Sequence, residues 1–99
     1  MENILMDTTI KEKLLLIKPE LIEKYKIKKI GIFGSFVDGT FTDKSDIDIL
    51  VEFEETPGWE FFRLSRFLEK YFERKVDLVT PEAIKPQIKD RIFKQVVFV

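Results

Sequence analysis

The chain has 99 residues, 17 of them basic and 18 acidic, a net charge of −1, 44% apolar residues, and neither cysteine nor histidine. One domain spanning residues 1–99 is expected, and a disulfide framework, a zinc site and a histidine general base are excluded. Charge this balanced lacks the basic stripe that long nucleic acid requires, and neither a signal-peptide pattern nor an apolar run near the roughly 20 residues that span a bilayer occurs, so a soluble, cytoplasmic protein is expected.

Residues 1–8 read as a loose terminus. Thr9 and Glu12 form a capping-box pattern, after which Ile10, Leu14, Ile17, Leu21 and Tyr25 recur at helical spacing. Pro19 has no amide donor and is expected to kink this helix or split it in two. Lys28–Phe33 reads as a short buried strand running directly into Gly34-Ser35. From Ser35 to Asp46 the sequence allows a short helix or a loop around Gly39. Residues 46–53 form a second strand, interrupted by acids at 46 and 48.

A turn at 54–58 leads to a helix over 59–72, with Phe61, Leu64, Leu68 and Tyr71 as its core stripe, widened by Phe67 and Phe72. Trp59 and Phe62 need not fit the stripe. They either pack at its edges or form an exposed aromatic patch for a protein partner. Lys75–Val79 reads as a short strand carrying Asp77. Thr80 and Pro81 then start a helical turn, Pro86 opens a last helix through about Gln95, and Val96–Val99 is either a terminal strand or a sticky tail.

The chemistry concentrates between Gly34 and Asp48. Side chains alternate along a strand, so Asp46 and Asp48 share a face, their Cα atoms roughly 6.6 Å apart. Carboxylates held this close disfavour each other's ionisation unless a cation lies between them, and an all-oxygen ligand set suits Mg²⁺. A glycine at 34 lets backbone approach a ligand, and the Ser35 hydroxyl with its neighbouring amides suits phosphate oxygens. If the strand of Asp77 pairs beside residues 46–53, at about 4.8 Å between strands, a third carboxylate joins the same face. Asp77 is also the candidate general base, since histidine is absent.

The run Gly34-Ser35, then Asp46-Ile47-Asp48-Ile49-Leu50-Val51-Glu52-Phe53, then Lys75-Val76-Asp77-Leu78-Val79-Thr80-Pro81 resembles a minimal nucleotidyltransferase (MNT) domain of the DNA polymerase β superfamily. The resemblance implies an α/β (α+β) fold, a small mixed sheet flanked by helices. It also implies two Mg²⁺ ions held by Asp46, Asp48 and Asp77, phosphate binding by Gly34 and Ser35, and nucleoside monophosphate transfer from a triphosphate such as ATP. Proteins of this type act as antitoxins beside HEPN-type toxins, modifying them with AMP on a tyrosine. The sequence departs from the pattern at Phe36 and Asp38, where the resemblance implies arginines; Lys44 is the nearby cation that would compensate.

Two functions follow as expectations. The first is an adenylyltransferase antitoxin acting on its partner toxin. The second is an antitoxin that neutralises the toxin by binding and occlusion, without catalysis. Transfer to a small molecule is a weaker third, because the chain has no room for an additional acceptor-binding domain.

Overall fold

The computed structural model describes residues 2–99, with side chains from Ile10 onward. Helix α1 runs over Glu2–Tyr25 and strand β1 over Ile27–Phe33, followed by the single-turn helix α2 at Ser35–Asp38. Strand β2 is Ile47–Phe53, helix α3 Glu60–Phe72 and strand β3 Val76–Val79. A 3-10 turn at Pro81–Ala83, helix α4 at Pro86–Gln95 and strand β4 at Val97–Phe98 follow. The four strands form one mixed sheet in the order β3-β2-β1-β4, with β2 and β3 parallel and both other pairs antiparallel. The expected mixed sheet flanked by helices is the observed architecture.

Alternation along the strands divides the residues between two layers. On one face Ile30, Ile32, Ile47, Ile49, Val51, Val76 and Leu78 join Leu14 and Leu21 of α1 and Leu64, Leu68 and Phe72 of α3 in the main core. The α3 stripe is as its spacing predicts, with Phe61, Phe67 and Tyr71 packed at its margin. On the other face Phe33, Leu50 and Ile84 make a small second cluster, with Val79, Ile92 and Val96 packed against it. Gly31 lies under this cover: a Cβ there would meet the Val96 side chain and the Val97 carbonyl at 2.9 Å.

The first helix differs from the sequence reading. It is already helical at Glu2, so the loose terminus expected over 1–8 is helix from residue 2, residue 1 lying outside the described residues. Thr9 is inside the helix rather than at its start, a case of a short capping pattern overruled by helix on both sides. Pro19 does not split the helix. The helix continues because Leu14 and Leu21, fully buried on either side of the exposed Pro19, anchor both halves to one core, which outweighs the lost backbone bond.

Other open points resolve in space. The segment after Gly34 is a short helix and then a loop, with Gly39 at φ 84° closing the helix. Val97 and Phe98 pair with Ile32 and Gly31 as an edge strand, and Lys18 Nζ donates to the Val99 carbonyl at 2.6 Å. The final apolar segment therefore docks on its own domain. Thr80 precedes Pro81 in the N-cap position as expected, without a side-chain capping bond. Among the described residues, no helix is long and apolar enough to cross a membrane.

Candidate active site

Three strand ends meet where the predicted residues lie. The β1–β2 ladder ends with Phe33 opposite Asp48, and in the parallel β2–β3 ladder Asp48 lies opposite Asp77. Both aspartates therefore sit on the face of Phe33 and Leu50, beyond the edge of the small cluster that covers it. Asp46 is one residue before β2 and exposed, while Asp48 is half-buried and Asp77 exposed. Among the described residues, no three acidic side chains close into a compact metal cage. The arrangement is an opposed pair with a third acid at the strand entrance.

Electrostatics ties the three together. The Asp48 carboxyl is pushed up from its ordinary 3.8 to about 6, first by burial, then by the charge of Asp77, then by that of Asp46. No basic side chain offsets this: among the described residues the ion pair within 4 Å is Lys24–Glu20 on α1. Like charges therefore gather at this end of the sheet.

Gly34 adjoins this pair. Its φ of 79° and ψ of −149° belong to a region essentially reserved for glycine. A Cβ at this position would lie 2.0 Å from Asp48 Oδ2, so the glycine backbone is packed directly on the carboxylate. Its carbonyl accepts the amides of Val37 and Asp38 at 3.0 and 3.1 Å, which starts α2 at Ser35. The structure thus brings Gly34, Ser35, Asp48 and Asp77 to one end of the sheet, with Asp46 at its entrance.

The two departures from the nucleotidyltransferase pattern have visible places. Phe36 is buried and stacks on Phe41, with ring centroids 4.6 Å apart. Asp38 is exposed and accepts the amide and hydroxyl of Thr40 at 3.0 and 2.6 Å, and these bonds hold its carboxyl below the usual range. Its charge is engaged in closing the turn after α2.

Two side chains escaped the sequence reading. Arg74, just after α3, places its guanidinium 5.3 Å from the Phe36 ring centroid and donates to the carbonyls of Asp43 at 3.0 Å and Ser45 at 2.9 Å. It thereby holds the loop that delivers Asp46. Gln95, at the end of α4, accepts the Gly34 amide at 3.0 Å from 61 residues away. Neither belongs to a motif, and only chain folding brings them to the site.

The larger surface cavities lie elsewhere. One of about 600 Å³ is lined by Trp59, Phe62, Arg63, Ser65 and Arg66. Trp59 and Phe62 are 74% and 58% exposed, so they form the surface patch rather than edge packing of the core. This groove is lined by no carboxylate, and a second cavity, of about 710 Å³, is lined by Glu52, Glu54, Glu55 and Glu82 but by none of the three aspartates, so the charged strand ends are the candidate for chemistry.

Comparison with known proteins bears on the family and the fold. Residues 14–99 match the family model described as nucleotidyltransferase domain. A Methanocaldococcus jannaschii relative, described as a candidate protein adenylyltransferase, is 51% identical over 84 residues, covering 83% of this chain and 86% of its own. The protein adenylyltransferase MntA of Thermococcus cleftensis is 41% identical over 83 residues, covering 83% and 84%. The fold is similar to that of a candidate minimal nucleotidyltransferase, with a TM-score of 0.78, 24% identity and coverage of 92% and 93%. A toxin-antitoxin structure with AMP-PNP gives a TM-score of 0.70, 26% identity and coverage of 88% and 69%. A tri-AMPylated HEPN toxin in complex with its MNT antitoxin, from Shewanella oneidensis, gives 0.58 at 23% identity, covering 97% and 70%. Extending over most of the chain and converging on one fold, these likenesses establish that this protein belongs to the nucleotidyltransferase domain family, with the architecture of its minimal members.

Proposed function

We propose that this nucleotidyltransferase is a Mg²⁺-dependent protein adenylyltransferase that transfers AMP from ATP to a tyrosine hydroxyl of a HEPN-type partner toxin, acting in the cytoplasm as its antitoxin. The observation that carries the reading is Asp48 opposite Asp77, with Gly34 packed on the Asp48 carboxylate and, among the described residues, no basic side chain within ion-pair distance. Support comes from relatives named as protein adenylyltransferases and from the nucleotide analogue and AMPylated toxin in structures of similar fold.

The donor set fits the metal: carboxylate oxygens, exposed at Asp46 and Asp77 and half-buried at Asp48, repel one another in the cation's absence, and Mg²⁺ is usually completed by waters and substrate phosphates. Asp46, Asp48 and Asp77 would hold two ions, which supply Lewis-acid stabilisation of the attacking and leaving oxygens. Gly34 and Ser35 would bind the β and γ phosphates, orienting the α phosphorus for attack. The acceptor hydroxyl oxygen bonds to that phosphorus as its bond to pyrophosphate breaks. The hydroxyl proton passes to Asp77, the candidate base.

The test incubates purified partner toxin with ATP and Mg²⁺ and follows the AMP mass increment on the toxin. The wild-type chain should produce it, and the Asp46→Asn, Asp48→Asn double variant should be slower by at least about 10³-fold, the order expected when several kcal/mol of charge stabilisation is lost. Full neutralisation of the toxin by the double variant would instead establish the occlusion mechanism.

A further inference from the structure

We infer that Gln95 is a positioning residue for the phosphate-binding turn, holding Gly34 in its glycine-only conformation against Asp48 and linking that turn to the docked C-terminal segment. Its functional consequence rests on the adenylyltransferase reading; the structural hold does not.

Gly34 is secured from three sides. Its carbonyl is fixed by the Val37 and Asp38 amides, and its Cα face by the Asp48 carboxylate. The amide remains, and the β1–β2 register ends one residue earlier, at Phe33. Gln95 Oε1 accepts this amide at 3.0 Å in a part-buried setting. A part-buried N–H deprived of its acceptor is costly, so the bond biases the turn toward the conformation in which the glycine lies on Asp48.

Gln95 is itself held on both sides. Ile92, one turn before it, and Val96, directly after it, pack on the Phe33–Leu50–Ile84 cluster. Val97 and Phe98 then pair with β1, and the Val99 amide donates to Ile30 at 3.0 Å. A glutamine so anchored at both flanks has little freedom to leave the turn. Its side-chain amide also has no charge, so it supplies an acceptor without adding to the acidity beside Asp48.

The experiment begins with the wild-type chain. Scalar coupling across the hydrogen bond, between the Gly34 amide nitrogen and the Gln95 side-chain carbonyl carbon, should be observed by NMR. Gln95→Met, similar in length without the carbonyl, should then exchange its Gly34 amide about tenfold faster, while the amides of Ile30 and Ile49 keep wild-type protection. Tenfold corresponds to the loss of one ordinary hydrogen bond. In the transfer assay the KM for ATP should rise about tenfold, with kcat changed less.

Absence of the coupling in the wild type overturns the proposal, as does unchanged Gly34 exchange in Gln95→Met. Faster Gly34 exchange with unaltered KM overturns the positioning role. If Gln95→Met fails to fold, the wild-type coupling decides whether the hold exists. If the wild-type chain transfers no nucleotide, the adenylyltransferase reading fails by itself, and the coupling and exchange still decide the role of Gln95 in the turn.

Discussion

The two faces of the sheet are made from the same strands and serve opposite ends. Ile47, Ile49 and Val51 of β2 point into a continuous apolar core closed by α1 and α3, with no buried polar group among the described residues. The intervening positions, Asp48, Leu50 and Glu52, point to a face only partly covered by α4 and the 3-10 turn. Leu50 is fully buried there, whereas Asp48, two residues earlier, is half-buried beside like charges. One face holds the fold together, and the end of the other gathers like charges beside a half-buried carboxyl.

The largest stability contrast should come from truncating each face. Leu64→Ala, in the main core, should cost about 4 kcal/mol in urea unfolding, and Leu50→Ala, in the smaller cluster, nearer about 2.5, both within the range for buried leucines. Equal losses would mean that the partly covered face packs as tightly as the closed one.

Next is the junction of the faces. Gly34→Ala forces a Cβ into the space of the Asp48 carboxylate and a side chain into a glycine-only conformation. A stability loss of about 1–3 kcal/mol is expected from backbone strain alone, measured by the same unfolding. Adenylyl transfer should fall with it, because the displaced carboxylate belongs to the proposed site.

The smallest effect has the opposite sign. Because the folded Asp48 carboxyl titrates near 6, above its ordinary 3.8, the folded state binds its proton more tightly than the unfolded chain. Its penalty is absent below pH 3.8, grows between there and about 6, and is complete above 6. Asp48→Asn should therefore stabilise the metal-free protein at pH 8 by about 1 kcal/mol, a figure reduced for solvent screening of a half-exposed group. The gain should vanish as pH approaches 4 in thermal melts. A persistent gain at low pH would show that packing, not charge, separates the faces here.

Much of the fold was legible because its periodicity is strong. The α3 stripe, the alternation in β2 and the prolines opening the 3-10 turn and α4 are local signals, and each element formed where its signal lies. The start of α1 was misread because a capping pattern reports only a few residues, and its continuation past Pro19 was not legible because the packing that sustains it is remote in sequence. At the candidate site, Gly34, Ser35, Asp46, Asp48 and Asp77 stand out as residue types in motif order. Arg74 and Gln95 do not, since an arginine after a helix and a glutamine at a helix end are ordinary surface residues until folding gives them partners.

By itself the sequence determined the chemistry on offer: three carboxylates, a glycine-serine turn, and no histidine or cysteine to compete with oxygen chemistry. It also determined which faces of each strand and helix would be apolar, because side-chain direction follows backbone period. Only the tertiary structure decided that β3 runs parallel beside β2 and sets Asp77 opposite Asp48. It alone decided that the final segment closes the edge of β1 and brings Gln95 to Gly34. Strand pairing and long-range side-chain bonds depend on how the whole core packs, and no local spacing encodes a contact across 61 residues.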